Sequence, residues 1–207
     1  MRNDVKVISF AAILAIVCAL LLTAADQIFR PFREANEKAE EVRNFLVALE
    51  IPVEEGANAQ TLVEVFEQNI ERREWGDLTV YVYSEGGVPV AYAIPFSGPG
   101  LWGPVDGVVA LEADLLTIRG VRFYKQEETP GLGGEIGAEW FQDQFRGKSI
   151  VSNSGQPGFT ITKPKQAGNS NEVDGITGAT MTSDRVGTIL DSLSKQVFEE
   201  RSKHVQQ

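Results

Sequence analysis

The residues of this chain best placed to do chemistry lie in Asp174-Gly-Ile-Thr-Gly-Ala-Thr180-Met-Thr-Ser183. Asp174-Gly175 is a turn dipeptide, and Gly178 supplies a second position free of Cβ crowding. From Ser183 onward Val186, Ile189, Leu190, Leu193 and Val197 recur at three- and four-residue spacing, which predicts a helix. Thr182 and Ser183 read as N-cap residues, with Asp184 in the first turn, where a helix accepts negative charge. Backbone N–H groups at a helix start favour a phosphate, so Thr180 stands where an anionic ligand can be held or attached. Turn chemistry alone leaves a second reading open, a capped helix after a tight turn with no ligand.

Three other stretches invite a chemical reading. Gly98-Pro-Gly-Leu-Trp-Gly103 has the letters of a dinucleotide-binding loop, but Pro99 and Pro104 bracket it and a strand, not a helix, follows. What remains is a rigid loop carrying Trp102, a flat surface that serves either as core or as cover for a planar ligand. Gly147-Lys148-Ser149 resembles the end of a P-loop, yet Gln142 stands where its upstream glycine belongs, so the phosphate cradle is missing. Glu127-Glu-Thr-Pro-Gly-Leu-Gly-Gly134 is an irregular loop in which backbone can approach a ligand closely, with Glu128 as acceptor and Thr129 as hydroxyl. An ordinary strand-to-helix loop is its alternative.

Composition removes several functions. The net charge of -10 argues against a nucleic-acid partner, because no basic stripe is present to neutralise phosphates. The one cysteine, Cys18, excludes an internal disulfide and a cysteine-based metal site. The single histidine, His204, lies in a polar tail, so triad hydrolysis has no base.

The elements that must position these residues follow from periodicity. Val7 to Ala25 is about nineteen residues without a charge, long enough to cross a bilayer as a helix. A signal h-region is usually shorter, about 7–15 residues, which favours a retained anchor. Arg2 and Lys6 on one side, and Arg30, Arg33 and Lys38 on the other, leave its orientation undecided. Amphipathic helices are predicted over 34–50 and 58–72. At Leu78 the period changes to two, giving a hairpin of Leu78–Tyr83 and Val88–Ile94 around Glu85-Gly-Gly. Strands near Val108–Glu112 and Leu116–Lys125 follow, then a helix near Ala138–Phe145, short strands at Ser149–Val151 and Phe159–Lys163, and a polar loop from Pro164 to Val173. The predicted class is α+β: a transmembrane helix (7–25) behind an N-terminal flank (1–6), a helical connector (26–75), and a soluble domain (76–203) whose antiparallel sheet is flanked by helices.

Gly100-Leu-Trp102, Glu128-Thr-Pro-Gly-Leu-Gly133 and Asp174-Gly-Ile-Thr-Gly-Ala-Thr180, in this order behind one apolar segment, resemble the FMN-binding domain family over about residues 1–200. The resemblance implies FMN held covalently through a phosphoester on Thr180, installed from FAD by a separate flavin transferase. It makes Asp174, Thr177, Gly178 and Ala179 the recognition turn around that threonine. Glu128, Thr129, Leu132 and Gly133 would border the flavin, and Leu101 and Trp102 would lie along the isoalloxazine. Lys163 resembles a family lysine close to the flavin, with Lys165 two residues away leaving the register open. The implied setting is the inner membrane, with the soluble domain outside the cytoplasm. There the other membrane subunits of a sodium-translocating NADH:quinone oxidoreductase, or of the related Rnf complex, would be its partners. Such a chain relays electrons as part of a translocase and is no independent catalyst. A cofactor-free anchored binding or assembly module is the competing reading.

Overall fold

The computed structural model describes residues 2–54 and 56–204; Met1 and the Arg2 side chain, one of the flanking charges, lie outside what it describes. Contacts divide the chain into two compact units, Met1–Ala39 and Glu40–Gln207. The first unit is helical throughout. It belongs to α1 (Arg2–Ala48), which continues through position 25 and contains Pro31. This helix is long and apolar enough to cross a membrane, with an 18-residue window of mean hydropathy 2.8.

The second unit is built on a five-stranded antiparallel sheet in the order β1-β2-β3-β4-β5. The strands are β1 (Ile70–Trp75), β2 (Leu78–Glu85), β3 (Val88–Pro99), β4 (Pro104–Glu112) and β5 (Ile118–Lys125). Sequential neighbours pair throughout, so short loops suffice and the sheet is a meander. The predicted hairpin is present, with Glu85 opposite Val88 across the turn.

Each sheet face is covered by helices. On one, Phe45 near the end of α1 packs edge-on against Phe66 of α2 (Ala59–Asn69) and Tyr81, and Phe66 meets Tyr81 at a tilt, with ring centroids 5.0–5.8 Å apart. Phe45, Leu46 and Leu49 are fully buried here, each contributing about 1.5–3 kcal/mol of apolar transfer. On the other face, Val186, Leu190, Leu193 and Val197 of α4 (Thr180–His204) join Val80, Ile94, Val109 and Val121 in the main core. Phe141 and Phe145, from α3 (Glu139–Gln142) and the 3-10 turn after it, close that core beside Phe123.

Several expected elements differ. The strand expected at Ser149–Val151 is reduced to two isolated bridges, Ser149 with Thr117 and Val151 with Pro157. The helix predicted over 58–72 stops at Asn69, because Ile70–Trp75 is a strand. That strand buries only its two ends and exposes Glu71, Arg72, Arg73 and Glu74 between them, so it carries no alternating apolar pattern to read. Its charges pair along the strand, Arg72 with Glu74 at 2.7 Å and Arg73 with Glu71 at 2.8 Å, and protect an edge from further pairing. The polar loop from Pro164 to Val173 ends in a second short strand, β7 (Glu172–Asp174), parallel to β6 (Thr160–Thr162). Three residues are too few for a periodic signal.

Candidate functional site

Helix α4 begins at Thr180, three residues before the start predicted from Ser183. Thr182 and Ser183 are therefore inside its first turn and are not N-caps, and Asp184 falls beyond that turn. The chain arrives through Ile176, whose carbonyl accepts from the Ala179 N–H at 3.1 Å, and through Gly178 at φ +82°. A left-handed residue at that point turns Thr180 outward, and its side chain is exposed on the first residue of the helix. The first N–H groups of a helix have no partner within it. Thr177 and Gly178 are exposed beside Thr180, whereas Ala179 is buried and pins the turn to the core.

The hydroxyls read as caps have other work. Ser183 Oγ accepts from the Ile176 N–H at 3.1 Å, folding the preceding turn back over the helix. Thr182 Oγ1 donates to Glu128 Oε2 at 2.6 Å, across 54 residues of sequence. The other carboxylate oxygen of Glu128 accepts from the Leu101 N–H at 2.7 Å and the Trp102 N–H at 3.2 Å. Glu128 is 5 % exposed and Thr182 2 %. One buried carboxylate thus ties the β3–β4 loop, the loop after β5 and the start of α4 together. Room for it comes from Gly100 and Gly133: a Cβ at either would stand 2.6–2.7 Å from a Glu128 oxygen.

What this knot presents outward is apolar. Leu101, Trp102, Leu132 and Met181 are all exposed, Trp102 at 69 %. Leu132 reaches the helix start, because a Cβ on Gly178 would stand 3.2 Å from its Cδ2. Its loop is closed by the Thr129 carbonyl, which accepts from the Leu132 and Gly134 N–H groups at 3.1 and 2.9 Å, and Thr129 itself is exposed. Gly178→Ala forces a left-handed alanine, at about 1–2 kcal/mol, and pushes on Leu132. We expect a lower thermal midpoint; an unchanged midpoint would show the turn to be relaxed.

Lys163 and Asp174 sit at the ends of β6 and β7, where Thr162 faces Asp174 in register. Lys163 is exposed. The Asp174 carboxylate turns to its own neighbourhood, accepting from the Gln166 N–H at 2.8 Å and the Ala167 N–H at 2.9 Å. Its backbone is clamped on the far side by Gln144, which accepts from the Asp174 N–H at 3.0 Å. Asp174 thus shapes the loop after Lys163. Glu128 likewise holds the site from within and presents no face outward.

The Ala167 N–H, then the Gln166 N–H and Thr162 hydroxyl, hold the Asp174 carboxyl below the usual carboxylate range. A depressed folded value gives stability that is present above the unfolded pKa of about 3.9 and lost as pH falls through the depressed value. Asp174→Asn should therefore flatten the acid limb of a stability profile below about pH 4. An acid limb of unchanged slope would remove Asp174 from that account.

The rejected motifs stay rejected. Gly98 and Pro99 end β3, and Pro99 pairs with Pro104 across the turn. Gly147 follows a 3-10 turn whose C-cap is Arg146, and donates its N–H to the Ile118 carbonyl of β5, so it cradles no phosphate.

Residues 100–194 match the FMN-binding domain. This segment contains all three converging loops and the start of α4. Among curated proteins, the chain is 38% identical over 117 residues to the NqrC component of the Na(+)-translocating NADH-quinone reductase of Yersinia pestis, covering 56% of this chain and 44% of that one. The match thus spans less than half the relative's length. The corresponding protein of Haemophilus ducreyi is 26% identical over an alignment covering 85% of this chain and 84% of the relative. Among solved structures, the NqrC component from Parabacteroides distasonis superposes with a TM-score of 0.69 at 28% identity, covering 83% of this chain and 96% of that one. NqrC of Shewanella oneidensis shares the fold, with a TM-score of 0.67 at 20% identity and coverage of 81% and 99%.

Proposed function

We propose that this chain, which matches the FMN-binding domain over residues 100–194 and is similar to the NqrC component of Na(+)-translocating NADH-quinone reductases, carries FMN on Thr180 as an electron-transfer subunit of such a complex. One observation carries the reading. An exposed threonine opens α4 directly after a left-handed glycine, and the knot at Glu128 and the contact at Gly178 bring exposed Leu101, Trp102 and Leu132 to the same helix start. A phosphate on Thr180 would meet the free N–H groups and the positive end of the helix. The apolar side chains suit a planar ring system. The donor set and the surface therefore fit FMN.

Attachment follows a balanced transfer. The Thr180 hydroxyl oxygen forms a bond to the phosphorus nearer the flavin in FAD, the pyrophosphate link breaks, AMP leaves and the hydroxyl proton is lost. The separate flavin transferase does this chemistry; this chain offers the hydroxyl and holds the turn Asp174–Ala179 in shape. Bound FMN supplies the electron-accepting and electron-donating chemistry. Ala179, buried, fixes the point of attachment, and Leu101, Trp102, Leu132 and Gly133 restrict where the ring lies. Thr177, Thr129 and Lys163 are the exposed polar groups on the loops that lead to it.

The uncharged segment of α1, residues 7–25, anchors the chain in the inner membrane, with the soluble domain on the extracytoplasmic side and the other subunits of the complex as its partners. Peptide mass spectrometry tests the attachment. When the chain is produced together with a flavin transferase, the peptide containing Thr180 gains the mass of one FMN less water. An unmodified peptide, from cells whose transferase labels a control protein, would refute it.

A further inference from the structure

Beyond its uncharged segment, α1 keeps an apolar face. Ile28, Phe29 and Phe32 are exposed to 62–67%. At about 100° per residue they continue the line of Leu21 and Ala25 along one side of the helix. The polar side is organised separately. Asp26 accepts from Arg30 at 3.0 Å and from Arg33 at 3.1 Å, and Arg33 lies 3.9 Å from Glu37. Asn36, one turn after Phe32, ends the apolar line.

We infer that the membrane-embedded part of α1 does not end at Ala25 but extends on this one face to Phe32, which lies in the lipid headgroup–acyl boundary. The inference rests on the anchoring reading above. Three observations carry it. About nineteen uncharged residues rise only ~28 Å, just short of a ~30 Å hydrocarbon core, so the next two turns enter the boundary layer. Asp26 pairs with both arginines, and Glu37 beside Arg33 supplies the second negative charge, which lowers the cost of holding that segment near the lipid, while the long arginine stems let the guanidinium groups reach water. Pro31 has no N–H, so the Gln27 carbonyl lacks its helical donor and needs one from water or headgroups, which the boundary layer provides and the hydrocarbon core does not.

Lipid fits this face better than a partner helix. Helices that pack together in membranes place small residues at the contact. Here Ala15 and Ala19 lie off this line, Ala11 alone shares the direction of Phe29, and the line through Leu21, Ile28, Phe29 and Phe32 is bulky.

Spin-label accessibility tests this in the full chain reconstituted into vesicles of zwitterionic and anionic phospholipid. Cys18→Ser removes the native thiol, and single cysteines are placed by Leu14→Cys, Phe29→Cys, Arg30→Cys, Phe32→Cys and Arg33→Cys. The expected result is strong oxygen relaxation at 29 and 32, strong relaxation by a water-soluble nickel chelate at 30 and 33, and oxygen alone at 14. Nickel access at all four outer positions, with 14 still in lipid, overturns the inference and leaves the anchor standing. Shielding of 29 and 32 from both agents assigns the face to protein and also overturns it. Nickel access at 14 removes the anchor itself.

Discussion

Thr180→Ala is expected to yield protein that loses all its flavin on denaturation, where the parent chain stays yellow. The substitution removes the hydroxyl oxygen that would carry the phosphoester and little else. Thr180 is exposed, opens α4 and takes part in no hydrogen bond that holds Glu128. Exposed substitutions of this kind change stability by no more than about 0.5 kcal/mol, and alanine is the best helix former. The thermal midpoint should therefore stay close to that of the parent while attachment disappears. Thr180→Ser keeps a hydroxyl at the same place and should retain some attachment. Flavin that still resists denaturation in the alanine variant would move the acceptor elsewhere, with Thr177 the nearest exposed hydroxyl to examine.

Glu128→Leu is expected to have the opposite profile, a large loss of stability with the acceptor untouched. Leucine fills much of the volume but accepts nothing. The Leu101 and Trp102 N–H groups and the Thr182 hydroxyl would then lose their partner together. Buried hydrogen bonds to a charged group contribute about 1.5–3 kcal/mol each when measured singly and are not additive, so a total loss of about 3–4 kcal/mol is reasonable. Glu128→Gln keeps one oxygen for the two N–H groups and should lose about 1–2 kcal/mol. Urea unfolding followed by circular dichroism separates the two. Should both variants unfold within about 0.5 kcal/mol of the parent, the knot would hold no weight in the fold.

The architecture was legible wherever burial imposed a period. The hairpin at Leu78–Ile94, β5 and the helix through Val186 and Val197 carry periodic burial, and the sequence repeats accordingly, while β4 buries every residue from Gly107 to Leu111 and reads as one apolar run. Strand β1 was not legible, because an edge protected by Glu71–Arg73 and Arg72–Glu74 pairs has no apolar rhythm. The loops of the site were readable as motifs from their glycines and the exposed threonine. Their connection was not. Glu128 looked like a residue facing a ligand, and Thr182 and Ser183 looked like caps, because local rules assign a hydroxyl to the nearest helix start. Nothing local could reveal that Thr182 would reach Glu128 across 54 residues, although three glycine-bearing loops in one chain were a sign of crowding at a shared point.

The long reach of that connection bears on when the site comes into being during synthesis. Leu101 and Trp102 leave the ribosome first, Glu128 about twenty-seven residues later, and Thr182 only with the last element of the chain. The later turns of α4 that seat Thr180 against the sheet, through Leu190, Leu193 and Val197, emerge later still. A chain cut short before α4 therefore cannot close the knot at Glu128 beside Thr180. On the reading that Thr180 carries FMN, a transferase that requires this knot would act only once α4 has been made, so attached flavin would report that α4 is seated on the sheet.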